Sequence, residues 1–441
     1  MPRVPSLAPA LALTLALGFA TGPLAPGARA ADPGGAVIGD ADEGLQVIVG
    51  PGGTSFESLA VPDARCVGGA DAAACQELMS VIRRDMTISF FFSVIPTRSY
   101  LVSSEEEPLA TPSFPDWNNI GAAYLIKGEV SGAGPYKVEL RLYSVASKSV
   151  VPVDEQSFSD VAKGGLRSVA HRFCNAVLKA RTGKPGVFDT RIAYDRKLAL
   201  GVKGVGVVDM DGHNRSVLIS NGSINMLPAW GFGGLMYTSF VGGFPELYFG
   251  KRKLSRDTGH YRKVAVSPDG GRLVASVSYG GQSDLYLLSK DGQVVKNLTN
   301  SEADEVSPTF SPDGGRIAYV SSAAGSPQIY VMAVDGGGGS RLTHAGGYNY
   351  APDWGSNGLI AFAAMDDGAS DIFTVTEGGE INRVTQNQGS NKDPSWSRDG
   401  RYIAFVSARP EGNGIYIASA DGRYQILVSK GGGYGSLAWE R

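Results

Sequence analysis

The sequence of 441 residues has few of the residues that build metal centres, since it contains only four histidines and three cysteines. Protein zinc sites use clusters of these residue types at short spacings, and neither an H-E-x-x-H nor a C-x-x-C motif is present. The G-x-S-x-G turn of α/β-hydrolases and the Walker loop of nucleotide-binding proteins are also missing. We therefore expect no metal, no cofactor and no catalytic residues.

Charge of one sign is not in excess either. The 40 basic and 43 acidic residues leave a net charge of −3, whereas nucleic-acid-binding proteins usually carry a basic surface. Long apolar runs are missing except at residues 10–20, a run too short to span a bilayer. This run follows Arg3 and precedes Ala28-Arg29-Ala30, a pattern typical of a secretory signal peptide. We predict cleavage after Ala30 and an exported protein that neither binds nucleic acid nor is embedded in a membrane.

Glycine is what the sequence has in excess, with 60 residues, or about twice the usual share. Many of these glycines belong to an internal repeat. An anchor residue, a Ser-x-Asp-Gly or related turn and an Ile-Ala-Tyr type of strand recur at intervals of 36 to 44 residues. The anchors are Trp230, Val266, Phe310, Trp354 and Trp396. Alternating apolar segments separated by Asp-Gly turns predict antiparallel strands joined by hairpins.

Four strands in roughly 42 residues are typical of one blade of a β-propeller. Six strands of the Ile-Ala-Tyr type, from Ile192 to Ile403, predict six blades over residues 186–441. Trp439 continues the spacing of the anchors but has no such strand after it, and the first blade lacks an anchor aromatic. We predict that the C-terminal strand completes the first blade and closes the ring, which leaves no open sheet edge.

The repeat is absent from residues 45–185, where apolar residues recur at helical spacing. The predicted elements are helices over residues 72–89 and 157–180, the second ending at Gly183, and a hairpin formed by residues 122–130 and 136–145. The fold class predicted for the whole chain is therefore a small α/β domain followed by an all-β six-bladed propeller, with a flexible segment at residues 31–44 before both.

The three cysteines have different predicted roles. Cys66 and Cys75 lie nine residues apart in a Gly/Ala-rich loop of an exported chain, where disulfides persist, and we predict that they are bonded. Cys174 falls within the second predicted helix and is expected to be buried as a small apolar residue.

Residues 166–195 resemble the inter-domain junction of the periplasmic TolB family. The shared pattern is R-x-x-A-H, then T-G-x-x-G-x-F-x-T-R-I-A-Y, and later a D-x-D-G turn at residues 209–212. The signal peptide, the α/β domain and the Ser-Pro-Asp-Gly repeats also fit this family. The D-x-D-G turn resembles the start of a calcium loop, but the further oxygen ligands and the terminal glutamate are missing, so we interpret it as structural. His171, in the A-H pair, is likewise interpreted as a packing residue.

The resemblance implies a non-enzymatic periplasmic component of the Tol–Pal machinery, which supports outer-membrane integrity and constriction during cell division. It implies binding of the lipoprotein Pal at one mouth of the propeller and of the inner-membrane protein TolA through the N-terminal segment, with each ligand biasing the other. Residues 31–44 intervene before the segment that resembles the first strand. The TolA-binding segment is therefore either displaced to about residues 44–53 or engages TolA differently. We expect a monomer.

Residues that precede the innermost strands ring one mouth of a propeller, and they supply the candidate partner-binding set. His260 occupies a position at which the resemblance implies a Pal-contacting histidine. Lys263 and Val306 occupy two further contact positions but carry other side chains than the family usually has. Five more candidates follow from their place before the anchors, because aromatic and amide groups suit interfaces: Tyr348, Asn349, Asn391, Lys392 and Tyr434.

Two alternatives stay open on the sequence. One is an exported propeller enzyme, a hydrolase or lyase, with His260 and His344 approaching a tunnel mouth. The other is an exported propeller that binds a different protein.

Overall fold

The computed structural model describes residues 56–103, 107–386 and 388–441, together with the backbone of two short strands, β1 (Ala36–Ile38) and β2 (Val47–Val49). The predicted signal peptide at residues 1–30 and most of the segment at 31–44 lie outside these residues. The described residues after position 35 form one compact unit. In this part of the chain no helix combines the length and the hydropathy required to cross a membrane.

The α/β domain begins at β3, and its two long helices pack with its mixed sheet in a shared apolar core. The sheet has the order β5-β3-β6-β7-β8, with β4 paired to β6 and β9 paired to β7. The strands are β3 (Glu57–Ala60), β4 (Arg65–Val67), β5 (Phe92–Val94), β6 (Tyr124–Ser131), β7 (Tyr136–Ser144), β8 (Ser149–Val151) and β9 (Ser157–Val161). The helices are α1 (Ala72–Ile88), α2 (Phe114–Asn119) and α3 (Leu166–Thr182).

Local signals set the ends of the two long helices. Asp71 caps α1 by accepting a hydrogen bond from the N–H of Ala73 at 3.0 Å. Gly183 ends α3 with φ at 79°, a left-handed conformation that glycine adopts without a Cβ penalty, and this end was predicted. The predicted start at residue 157 is wrong, because Ser157–Val161 is strand β9 and pairs with β7. Gly164 and Gly165 separate the two elements, and glycine disfavours a continuous helix there.

Six antiparallel blades form the propeller in the described residues, as predicted, and each is built on four strands of the propeller repeat. Blade 1 contains β10 (Arg191–Ala199), β11 (Val202–Asp209), β12 (Ser216–Ile219) and the last strand of the chain, β33 (Tyr434–Trp439). Blade 2 contains β13 (Asn225–Gly231), β14 (Gly234–Ser239), β15 (Glu246–Phe249) and β16 (Arg252–Lys253). Blade 3 contains β17 (His260–Val266), β18 (Arg272–Ser278), β19 (Ser283–Ser289) and β20 (Val294–Asn297).

The remaining three blades follow the same order of strands. Blade 4 contains β21 (Glu305–Phe310), β22 (Arg316–Ser321), β23 (Gln328–Ala333) and β24 (Ser340–Arg341). Blade 5 contains β25 (Tyr348–Trp354), β26 (Ile360–Asp366), β27 (Ala369–Val375) and β28 (Ile381–Arg383). Blade 6 contains β29 (Ser390–Trp396), β30 (Tyr402–Ala408), β31 (Gly414–Ser419) and β32 (Tyr424–Lys430).

The Ser-x-Asp-Gly motif is a turn that closes on its own side chains. In blade 3 the hydroxyl of Ser267 donates to Asp269 and accepts from the N–H of Arg272 at 2.9 Å. Gly270 takes the positive φ of 67° that this turn requires. The same two hydrogen bonds and the same positive φ, at Gly314, recur in blade 4, which explains why the motif marks the end of an innermost strand and the start of the next.

The C-terminal strand closes the ring, as predicted. β33 pairs with β10 in the register Ile192↔Trp439 and Tyr194↔Leu437. The anchor side chains Trp354, Trp396 and Trp439 are buried. Closure therefore gives blade 1 the innermost strand and the aromatic residue that its own repeat lacks.

The N-terminal strands extend the propeller and not the α/β sheet. β2 pairs with the outer strand β32 in the register Val47↔Ile426 and Val49↔Tyr424, and β1 pairs with β2. Blade 6 is therefore a six-stranded sheet. The α/β domain was predicted to begin at residue 45, but its sheet begins at Glu57. Residues 36–38 within the segment predicted to be flexible form strand β1.

Candidate functional site

Each innermost strand of the propeller contains a β-bulge. In β29, for example, Lys392 pairs with Val406 and Ser395 pairs with Ala404, so the inner strand has one extra residue between these pairs. The other five innermost strands show the same irregularity. We call the residues three positions before the anchors the bulge ring, and they line the central tunnel: Leu227, Lys263, Ser307, Ala351, Asp393 and Ser436.

The tunnel has two mouths. The upstream mouth is the end at which the innermost strands begin, and the downstream mouth is the end at which they stop. A cavity of 460 Å³ extends from the bulge ring to the turns of the downstream mouth, and only propeller residues line it. All eight candidate partner-binding residues lie at the upstream mouth or in the adjoining tunnel wall.

The upstream mouth carries a group of exposed apolar side chains on the loops and strand ends of four blades. Phe244 is 60% exposed, Tyr348 is 41% exposed and Leu200 is 93% exposed. We call this group the apolar rim: Leu200, Val241, Phe244, Tyr279, Tyr348 and Met365. Exposed apolar groups gathered on one face are typical of protein interfaces. Apart from Tyr348, sequence reasoning missed these residues, although their place in loops between β-strands was an available signal.

His260 joins the apolar rim through an aromatic contact. Its exposed ring stacks on Phe244 with centroids 5.4 Å apart and planes 17° apart. The loop before it is fixed by Asp257, whose carboxylate accepts hydrogen bonds from the hydroxyls of Tyr261 and Tyr279. Burial and the nearby Asp257 carboxylate raise the pKa of Tyr279 to about 12, so this hydroxyl keeps its proton and remains a donor.

Three candidate residues are not surface groups, which corrects the expectation that they face a partner. Asn349 is buried and donates to Gln328 Oε1 at 2.8 Å. Asn391 is buried and accepts from the hydroxyl of Ser407 at 2.6 Å. Tyr434 is also buried, and its hydroxyl accepts from Arg215 Nη1 at 3.0 Å. These side chains hold strand ends and loops together at the upstream mouth.

The remaining candidates are half-buried. Val306 is the second residue of β21, and Lys392 is the third residue of β29. Both lie upstream of the bulge in their strand. Lys263 lies deeper, because it belongs to the bulge ring and lines the cavity. The structure therefore brings His260 and Tyr348 to the exposed rim and assigns Lys263 to the tunnel wall.

The sequence motifs of the domain junction form a buried ionic cluster. Asp211, from the D-x-D-G turn, pairs with Arg167 of α3 and accepts from the N–H of His213 at 3.1 Å. His171 Nδ1 lies 2.7 Å from Asp85 Oδ2 of α1. Arg167 and His171 therefore connect α3 to the propeller and to α1, which supports the structural interpretation of His171 and of the turn.

Burial and charge shift the pKa values of this cluster. Burial raises the pKa of Asp85 to about 6 against the opposing effect of His171. Burial alone would lower the pKa of His171, but the Asp85 carboxylate outweighs it and the pKa is raised. For Asp211, burial favours the neutral acid, but hydrogen bonding by His213 and the charge of Arg167 outweigh it and lower the pKa.

Asp85, His171 and Asp211 place three potential ligand atoms within 4.8 Å of one another. The guanidinium of Arg167 already pairs with Asp211, however, and a second positive charge there would be repelled. This cluster is thus better suited to hold the two domains together than to hold a metal ion.

The cysteines and histidines do not gather into a reactive site. Cys66 and Cys75 are joined by a disulfide, and Cys174 is buried, with burial raising the pKa of its thiol. His344 lies in the loop between β24 of blade 4 and β25 of blade 5, whereas His260 begins β17 of blade 3, so the two histidines belong to different blades.

Two family models match the chain. The model described as the TolB amino-terminal domain matches residues 45–151, and the model described as the TolB beta propeller domain matches residues 178–364. The matched ranges correspond to the α/β domain and to the first part of the propeller.

Curated relatives and a solved structure agree with these matches. The "Tol-Pal system protein TolB" of Anaeromyxobacter dehalogenans strain 2CP-C is 39% identical over 271 residues, which cover 59% of this chain and 61% of that protein. This chain thus spans less than two thirds of that relative. The protein of the same name from Gluconobacter oxydans is 31% identical over 365 residues, covering 80% of this chain and 78% of that protein. The crystal structure of TolB from Acinetobacter baumannii shares the fold with a TM-score of 0.75 at 23% identity, covering 90% of this chain and 99% of that chain.

Proposed function

Because this chain belongs to the TolB family, we propose that it is a periplasmic component of the Tol–Pal system that binds other envelope proteins and catalyses no reaction. Two relatives bear the Tol–Pal name, which supports the assignment to the system. The placement of His260 on blade 3 and of His344 in the loop between blades 4 and 5 supports a binding role over a catalytic one. In this role the protein would support outer-membrane integrity and constriction at division.

The partner surface proposed for the lipoprotein Pal is the upstream mouth. The observation that carries this proposal is the apolar rim, in which Phe244 and Tyr348 are exposed on different blades and His260 stacks on Phe244. Aromatic side chains supply most of the binding energy in many protein interfaces. The buried Asn349 and Asn391 beneath the rim keep it in place.

The segment proposed for TolA is the N-terminal strand region at about residues 44–53. Strand β2 is held by backbone pairing to the outer edge of β32. A strand added at a sheet edge can exchange that edge for one on another protein without a change in its own conformation. The described backbone at 47–49 supports this proposal, while the other residues of the segment lie outside the described residues.

Equilibrium binding of the exported chain to the soluble domain of a Pal-like lipoprotein tests the proposed partner surface. We expect His260→Ala and Phe244→Ala each to weaken binding at least tenfold, which corresponds to about 1.4 kcal/mol. Phe232→Ala is the matched control, because Phe232 is a 38%-exposed aromatic residue on the β13–β14 turn at the downstream mouth.

The outcomes separate the assignment from the location of the site. Failure of the unaltered chain to bind any Pal-like lipoprotein would overturn the Pal proposal. Equal losses in the Phe232 and Phe244 variants would show that the upstream mouth is not the surface. A chain lacking residues 31–50 is expected to keep Pal and lose TolA, and retention of TolA would contradict the proposed segment.

A further inference from the structure

The tunnel cavity contains two charged side chains that are not paired. Six charged residues line it: Lys263, Asp353, Asp393, Arg398, Glu440 and Arg441. Arg441 pairs with Asp353, while Glu440 and Arg398 pair with residues outside the cavity. Among the described residues, neither Lys263 nor Asp393 has an ion-pair partner within 4.0 Å or a side-chain hydrogen bond.

These two residues lie on opposite sides of the tunnel at the same depth. Both belong to the bulge ring, and they come from blade 3 and blade 6. In a closed ring of six blades these two blades are diametrically opposed. The other members of the bulge ring are neutral, so one positive and one negative group face each other across the cavity floor.

The other nearby carboxylates do not neutralise Lys263, because they are already engaged. Asp195 accepts from Lys203 Nζ at 3.0 Å and from the N–H of Ser436 at 3.0 Å. Asp353 accepts from the N–H of Trp396 at 2.7 Å in addition to its pair with Arg441.

Burial acts against both unpaired charges. It lowers the pKa of Lys263, although the carboxylates of Asp353, Asp393 and Asp195 partly oppose this. It raises the pKa of Asp393 against the effect of Lys392 and Lys263. A ligand that brought an anion to the first group and a cation to the second would relieve both penalties at once.

We propose that the cavity is a binding site for a small zwitterion, such as a free amino acid or a dipeptide. Its carboxylate would bind the ammonium of Lys263, and its own ammonium would bind the carboxylate of Asp393. The volume of 460 Å³ lies in the range of about 300–1,000 Å³ usual for small-molecule sites. The site is reached from the downstream mouth and is therefore distinct from the proposed Pal surface.

The charge pattern argues against simpler occupants. A metal cation would be attracted by Asp393 but repelled by Lys263, and an inorganic anion would meet the reverse pattern. Only a ligand that carries both charges can pair with both Lys263 and Asp393. A molecule with a single charge should leave one of the two groups unpaired in a site of low dielectric constant, which is costly.

Calorimetric titration of the exported chain tests this site with three sets of probes. The zwitterions are glycine, alanine and alanyl-alanine. N-acetylalanine carries only the carboxylate, and alaninamide carries only the ammonium. We expect the best zwitterion to bind at least ten times more tightly than either single-charge probe.

Variants of Lys263 and Asp393 test whether these two residues bind the ligand. Lys263→Met and Asp393→Asn should each weaken zwitterion binding at least tenfold, while Lys290→Met, an exposed lysine on a blade 3 turn, should leave it unchanged. The double exchange Lys263→Asp with Asp393→Lys should restore binding, because the ligand can lie in the reverse direction. Circular dichroism checks that each variant is folded.

Several results would overturn the proposal. One is zwitterion binding no tighter than that of the single-charge probes. Another is unchanged binding in a folded Lys263→Met chain. If a variant fails to fold, the probe series on the unaltered chain still decides whether both ligand charges are needed. Capture of Pal is measured separately and does not bear on this site.

Discussion

Removal of the Asp211 carboxylate should uncouple the α/β domain from the propeller. Asp211 is fully buried, pairs with Arg167 and accepts from the N–H of His213 at 3.1 Å. Asp211→Ala leaves the guanidinium of Arg167 without its partner, and that side chain is only 17% exposed. Breaking a buried pair on one side costs about 3–5 kcal/mol. Because Arg167 keeps some contact with water, we expect a loss of about 3 kcal/mol in the free energy of unfolding.

Asp421 provides the matched control for this loss. It occupies the corresponding turn of blade 6, where its carboxylate accepts from the N–H of Arg423 at 3.1 Å, but its side chain is 52% exposed. Asp421→Ala therefore removes the same kind of turn contact without unpairing a buried charge. An exposed pair contributes about 0–1 kcal/mol, and a turn hydrogen bond contributes about 1 kcal/mol. We expect a total loss of about 1 kcal/mol.

Urea unfolding followed by tryptophan fluorescence measures both variants. Asp211→Asn provides an intermediate case, since its amide oxygen still accepts from His213 but carries no charge, and it should lose about 1.5–3 kcal/mol. The reasoning is refuted if Asp211→Ala costs no more than Asp421→Ala. Such a result would mean that Arg167 finds an equivalent partner in the junction and that Asp211 contributes only its turn contact.

Two further predictions concern His171 at the domain junction and Trp439 in the strand that closes the propeller. The raised pKa of His171 implies a stabilisation that is fully present below its unfolded pKa of about 6.5 and is lost as pH rises through the folded value. The difference in unfolding free energy between the unaltered chain and His171→Asn should therefore shrink as the pH rises above the unfolded pKa of about 6.5, and a constant difference in urea titrations would contradict this. Trp439→Ala should cost about 3–5 kcal/mol, because its ring is buried and its Nε1 donates to Thr190 Oγ1 at 2.8 Å. The half-exposed Trp230, changed to alanine, should cost less in the same assay, and equal losses would argue against ring closure by β33.

The repeats made the propeller predictable because the residues that form the strands and turns of a blade lie close together in the sequence. The turn at Ser267 is formed by residues that lie within five positions of one another, so the sequence motif alone predicts the geometry of the turn. Ring closure was also predictable, because the aromatic missing from the first repeat and the extra aromatic at Trp439 complement each other. The α/β domain has no repeat, and the predicted helix therefore ran through the Gly164-Gly165 pair into strand β9.

The burial of Asn391 could not be predicted by counting from its anchor. Side chains alternate between the two faces of a strand, so residues at even separations from Trp396 share its face. The bulge between Lys392 and Ser395 inserts one residue and reverses this relation for every position upstream of it. The bulge is a feature of backbone geometry with no fixed residue type, since Leu227, Ser307, Ala351 and Asp393 all occupy it with positive φ. This explains why position placed these residues at one mouth of the tunnel but could not tell which of their side chains are exposed there.

The same bulges determine which charges enter the tunnel, and ring closure determines which of them stay unpaired. Alignment of the repeats puts Lys263 and Asp393 at the same depth of opposed blades, but their isolation depends on the end of the chain. Closure by β33 carries Arg441 to Asp353, so a carboxylate close to Lys263 is taken by another cation. The strand that completes blade 1 thereby also leaves the opposite charges of Lys263 and Asp393 without ion-pair partners. Ring closure and the availability of the two charges are therefore linked, because the strand that closes the ring is followed by the arginine that pairs with Asp353.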